Sequence, residues 1–239
     1  TLKTTASFTI NTKRGIQLDT SNSTINVDAS TTLTYAGIIV HQGSETNNGY
    51  TKSGGGTFAL SGDSTYSGVT TISAGVITIA HADSLGSTSG ATSITSGAAL
   101  SISGGITVAE PITVNGTGVS SGGAIVFTAN DNTYSGAITL GSTSTIVSTG
   151  GAQTISATVN GGQALTITAN GNLVISGAVG GSTDLSSYAV TTTGSASQTF
   201  SANVETTGNQ TYTAAGGIVT SGARTFDSSS GTVNFASAL

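Results

Sequence analysis

The sequence predicts an all-β fold, built as a β-solenoid of roughly 20 residues per coil, from three observations. Larger apolar residues alternate with small polar ones in short segments, as in Phe58/Leu60 and Ile77/Ile79, so each segment turns one face inward with the two-residue period of a strand. Gly, Ser or Asp bounds each segment and supplies the turn. The segments are too short to stand as independent sheets, but they fit as the sides of a coil that stacks on the next.

Composition supports this reading. Charged residues make up 6% of the 239 residues, against ~25% in an average domain. Thr, Ser, Val, Ile and Gly dominate, and these residues favour strands, turns and caps over helix interiors. The net charge is −5, with Lys3, Lys13, Arg14, Lys52 and Arg224 as the only Lys or Arg residues. They form no basic patch, which argues against a nucleic-acid partner. The absence of Cys excludes a disulfide framework and a thiolate metal site. No apolar run approaches the ~18 residues of a membrane-spanning helix. The chain opens mid-pattern, without an initiator Met or signal peptide, and reads as one body over 1–239 and a piece of a longer protein.

Taken in order, the segments recur evenly. Phe8/Ile10, Ile16/Leu18, Ile25/Val27 and Leu33/Tyr35 open the chain at a nearly constant spacing. The series continues through Leu100/Ile102, Ile106/Val108, Ile112/Val114, Ile125/Phe127, Ile138/Leu140, Ile155, Leu165/Ile167 and Leu173/Ile175. It loosens over 183–197 and resumes at Phe200, Val204, Tyr212, Ile218, Phe226 and Val233/Phe235. Three strands per coil give roughly 11 or 12 coils and a rod of about 55 Å. A longer repeat overlies the series. Gly55–Leu60 and Thr65-Tyr66-Ser67-Gly68 reappear as Gly122–Phe127 and Thr133-Tyr134-Ser135-Gly136. Tyr66 and Tyr134 are therefore expected at equivalent corners, each hydroxyl near solvent or a backbone carbonyl.

Residues 35–86 resemble the passenger-associated repeat of bacterial autotransporters. The matching elements are Tyr35-Ala36-Gly37-Ile38-Ile39, Thr51-Lys52-Ser53-Gly54, Gly56–Gly62, Thr65-Tyr66-Ser67-Gly68, Thr70–Gly75 and Ala82-Asp83-Ser84-Leu85-Gly86. A second copy covers Gly122–Leu140. Ser64 stands where the family usually has Asn, and the second copy loses the pattern after Leu140. The resemblance implies a pertactin-like right-handed parallel β-helix, secreted and exposed at the bacterial cell surface. It does not imply an activity, because such passengers include adhesins, proteases and spacers.

Candidate chemistry is sparse. Gly118-Val119-Ser120-Ser121-Gly122 fits the nucleophile pattern of a hydrolase, but that arrangement needs a later His, and His41 and His81 both come earlier. His81 and Asp83, separated by Ala82 alone, would share a face on a strand, although the resemblance places Asp83 in a corner. Asp63 and Asp83 are separated by close to one coil, and could stack to share Ca²⁺ or flank a glycosidic bond. Asp63 following Ser61-Gly62 equally suits a plain turn. Thr-x-Thr pairs at 166/168, 191/193 and 211/213 suggest an ordered hydroxyl face, yet no strict period covers the chain, and Thr is simply a good strand residue. The loop from His41 to Lys52, with His41, Glu45 and Tyr50, is a candidate receptor-binding loop.

The sequence thus favours a non-catalytic extracellular stalk segment of a surface adhesin or filament, with no cofactor and no bound metal. Its expected contacts are end-to-end or lateral self-association and a host or matrix glycan or protein. Two alternatives are an adhesive module using the 41–52 loop and a polysaccharide-processing enzyme on a β-helix.

Overall fold

The computed structural model describes residues 1–19, 23–43 and 47–236. It is a parallel β-solenoid of about ten turns, with about 23 residues per turn. Among the described residues the paired strands run parallel, and the helical element is the short 3-10 turn Val119–Ser121. Most complete coils contribute a short segment to each of three faces.

The first face carries a continuous ladder, buried from Leu33 to Tyr212 and ending on an exposed Phe8 and a partly buried Phe235. Phe8, Leu33, Phe58, Ile77, Leu100, Ile125, Ile146, Ile167, Val190, Tyr212 and Phe235 are successive register partners. The second face stacks Tyr50, Thr70, Thr92, Ile112, Ile138, Val159, Val179, Val204 and Phe226. The third face runs through Val108, Tyr134, Ile155, Ile175, Phe200 and Thr220. Ladders form because parallel strands in register stack like side chains at ~4.8 Å, and each inward residue then packs on its counterparts above and below.

The coil is longer than the sequence suggested, and the turns are fewer. The excess lies in the corners. Successive members of the first ladder can be as near in sequence as Phe58 and Ile77 or as far apart as Phe8 and Leu33. The hydrogen-bonded strands hold their register while the corners absorb insertions, as surface connections do. Ten steps at ~4.8 Å give a stack roughly 48 Å tall.

The apolar positions named from alternation fill the core. Phe58, Leu60, Ile72, Ile77, Ile79, Leu100, Ile102, Val108, Ile112, Val114, Phe127, Ile138 and Leu140 are all buried. Ile106 differs, being only partly buried against the core. Burial of such side chains at about 1.5–3 kcal/mol each is the main stabilising contribution. The stretch where the pattern loosened contains the strand Ser187–Thr192, with Tyr188 and Val190 buried. Beyond Leu140, where the repeat pattern ends, the strand continues. Ile138–Ser148 runs on around a corner, pairing first with Ile112–Val114 and then with Ile125–Phe127.

The long repeat is three coils. Tyr66 and Tyr134 precede Thr70 and Ile138 by the same offset, and those two are three steps apart on one ladder. Leu60 and Phe127 are likewise three steps apart on the first face. Both tyrosines are fully buried, so neither hydroxyl lies near solvent, and Tyr134 takes the backbone-carbonyl alternative. Tyr134 donates to the Glu110 carbonyl at 2.7 Å, and Tyr66 shares a 2.6 Å hydrogen bond with the Thr70 hydroxyl. A solenoid interior has no polar rim, so each phenol must find its partner inside.

Candidate functional site

Three places bring polar chemistry together: one corner, the interior and the outer rows of the sheets.

The corner holds Asp63, His81 and Asp83. Their ligand atoms all lie within 4.8 Å of one another. Asp63 follows the strand Thr57–Leu60, and His81 and Asp83 sit in the turn after Gly75–Ile79 on the next coil. Ser64 N–H donates to the Asp83 carbonyl at 3.0 Å, and the Ser84 hydroxyl to the Gly62 carbonyl at 3.3 Å. These bonds tie the two corners together, as the spacing of the two Asp residues suggested. His81 and Asp83 meet in a turn instead of along a strand, and Asp83 N–H donates to His81 Nδ1 at 3.2 Å. The His81 ring lies 4.0 Å from the Asp83 carboxylate. Two carboxylates and an imidazole are donors suited to a divalent ion. Both carboxylates are exposed, so water competes for them.

The residues of the 41–52 loop separate. His41 ends the strand Ile39–His41 and is half-buried. Glu45 lies outside the described residues. Tyr50 belongs to the core: its ring packs edge-on against Phe58 and Tyr66 at centroid distances of 6.1 and 5.5 Å. Burial pushes its hydroxyl pKa up. Asn48, also buried, donates to the Leu18 carbonyl at 3.1 Å, so the foot of this loop is anchored inside. Ser120, in the Gly-x-Ser-x-Gly match, has φ 50° within the 3-10 turn. Among the described residues no hydrogen bond joins it to His41 or His81.

Among the described residues, Lys52 and Glu110 are the acidic or basic side chains buried in the interior. Lys52 is a register partner of Ile25 and Ile72 in an otherwise apolar run. It has no exposed surface, and its ammonium donates to the carbonyls of Ser53, Gly54 and Ala74 at 3.0, 2.8 and 2.9 Å. All three donors are used. Desolvation lowers its pKa to about 8. Glu110 is 3% exposed. Its Oε1 accepts a long bond from the Thr92 hydroxyl at 3.4 Å, and its Oε2 has no partner. Burial pushes its carboxyl up to about 7. Neither was singled out from the sequence, although the signal was there. Lys52 is in phase with Tyr50, and Glu110 with Val108, Ile112 and Val114, so alternation points both inward.

The outside carries hydroxyl rows. Thr24, Thr51, Thr71, Ser93, Thr113 and Thr139 are successive partners along the second face, and Thr107, Thr133 and Thr154 along the third. On the first face Thr168, Thr191 and Thr213 form one row, beside which Thr166 and Thr211 flank Ala189. Thr193 leaves the row and bonds Asn170 at 3.1 Å. The rows align although their sequence spacing varies, because corners of unequal length separate strands of fixed register.

Comparison with known proteins bears on this surface. A family model described as the passenger-associated-transport-repeat matches residues 51–79. No curated protein and no solved structure matches the chain. The repeat match and the stacked parallel coils fit an autotransporter passenger-like parallel β-helix.

Proposed function

We propose that this chain is an extracellular structural stalk segment of a bacterial surface adhesin or filament, extending other parts away from the cell. The observation that carries this reading is the unbroken ladder from Phe8 to Phe235. A stack of hydrogen-bonded coils resists bending and adds a constant ~4.8 Å per coil, which is what a spacer requires. The repeat match supports a surface-associated structural or adhesive region. No helix among the described residues is long and apolar enough to cross a membrane. The Thr and Ser rows suit weak contacts with a glycan, a matrix protein or a sister rod. The test is to duplicate the three-coil unit, residues 66–133, and measure particle length by electron microscopy. The stalk reading expects an increase of roughly 14 Å with display of a distal tag preserved. A particle of unchanged length, or one that cleaves a polysaccharide, would overturn it.

A second reading assigns receptor contact to the loop between His41 and Lys52. It is favoured by the anchoring of Asn48 and Tyr50, which fixes where the loop rejoins the coil. Deleting 42–47 would then abolish attachment and leave the β circular dichroism intact.

A further inference from the structure

We propose that Glu110 makes the middle of the stack pH-sensitive: the closed coils hold its carboxyl proton more tightly than the open chain does, and its ionisation favours opening of the contact between the coils of Thr92, Ile112 and Ile138.

The geometry leaves a charge at this position uncompensated. From the preceding coil Glu110 meets the Thr92 hydroxyl, at the long distance of 3.4 Å. From the following coil Tyr134 spends its proton on the Glu110 backbone carbonyl, not on the carboxyl group. Gly136 lies over the same carbonyl, where a Cβ would overlap the oxygen, so the following coil is pressed close and leaves little room to rearrange. Tyr66 also feels the charge, but its hydroxyl is engaged with Thr70. The ion pairs among the described residues, Lys3–Asp28 and His81–Asp83, do not involve Glu110. A carboxylate buried without a cation or a full set of donors costs far more than a neutral carboxyl group.

The direction follows. The folded pKa of about 7 exceeds the ordinary 4.5, so the closed coils bind a proton that the open chain releases. The stability this contributes is fully present below 4.5 and is lost as pH rises through about 7. Tyr66 and Tyr134 do not titrate in this window, because burial pushes both hydroxyls well upward. Lys52 changes stability in the opposite sense and mainly above pH 8.

The test compares the intact chain with Glu110→Gln at pH 5 and pH 7.5, by denaturant unfolding and by amide exchange corrected for intrinsic rate. Exchange is read at the amides of Thr92 and Ile112, which bond the Pro111 and Ala137 carbonyls, with Ile167 as the distant control. In the unmodified chain the opening constant should rise roughly 50-fold between the two pH values, the linkage expected of a carboxyl raised from 4.5 to about 7. Protection at Thr92 and Ile112 should fall more than at Ile167. Glu110→Gln, neutral throughout, should lose this component, and contributions common to both proteins cancel. An unmodified chain whose opening does not change with pH overturns the proposal. So does a Glu110→Gln variant that keeps the full dependence. Should the variant fail to fold, the Thr92 and Ile112 amides of the unmodified chain decide alone, with equal protection at both pH values counting against it.

Discussion

The Lys52 ammonium, inside the solenoid, donates to the Ala74 carbonyl of the next coil at 2.9 Å. The same nitrogen holds the Ser53 and Gly54 carbonyls of its own coil. Where a coil bends from one face to the next, backbone carbonyls leave the strand ladder and need donors. A buried amide does the same elsewhere: Gln153 donates to the Asn130 and Gly150 carbonyls, both at 2.7 Å.

Lys52→Met should therefore destabilise the chain by about 2–4 kcal/mol, despite restoring an apolar ladder, because three carbonyls lose their donor. The pH dependence separates this from a packing defect. The Lys52 pKa is lowered from 10.5 to about 8, so on top of these hydrogen bonds a pH-linked gain is present above 10.5 and is lost as pH falls through about 8. The unmodified chain should gain stability between pH 8 and 10.5 and the variant should lack that gain, as read from urea midpoints.

Gly136→Ala should be among the most damaging single-methyl changes. The added Cβ would overlap the Glu110 carbonyl oxygen, and two coil backbones would have to part. A loss of more than ~2 kcal/mol is expected. Gly150→Ala is the control, with nothing within 4 Å of its Cβ, and should stay within ~0.5 kcal/mol. Thermal unfolding of both variants checks the pair.

Tyr134→Phe removes the 2.7 Å bond to the Glu110 carbonyl without changing the packing of the ring. The carbonyl is left facing an apolar edge, and a loss of about 1–2 kcal/mol should follow in denaturant unfolding.

Chelation should leave stability unchanged. Asp63, His81 and Asp83 converge on an exposed corner, and the backbone bonds between their loops hold it together without an ion. EDTA should not shift the thermal midpoint, and Asp63→Asn should change stability by no more than ~0.5 kcal/mol. A fall in the midpoint on chelation would instead make the trio a structural metal site.

The corner was partly legible in the sequence. A spacing close to one coil brought Asp63 and Asp83 to neighbouring coils, but His81 joins them only because the chain turns at Ala82–Leu85. The Thr-x-Thr pairs were visible, yet the row of Thr168, Thr191 and Thr213 was not, because the intervening corners differ in length. Tyr50 sat in a polar stretch that read as surface loop, although its side chain faces Phe58 and Tyr66.

By itself, the sequence determined which side of each strand faces inward, that the strands are short, and that one pattern recurs along the stack. Alternation is a property of neighbouring residues, and every strand carries its own record of it. Which residues touch across coils was decided only by the tertiary structure. Hydrogen bonds keep the strands in register while corners of unequal length change the sequence distance between partners. The burial of Lys52 among carbonyls and of Glu110 without a counter-charge depends on which backbone atoms those corners bring against them.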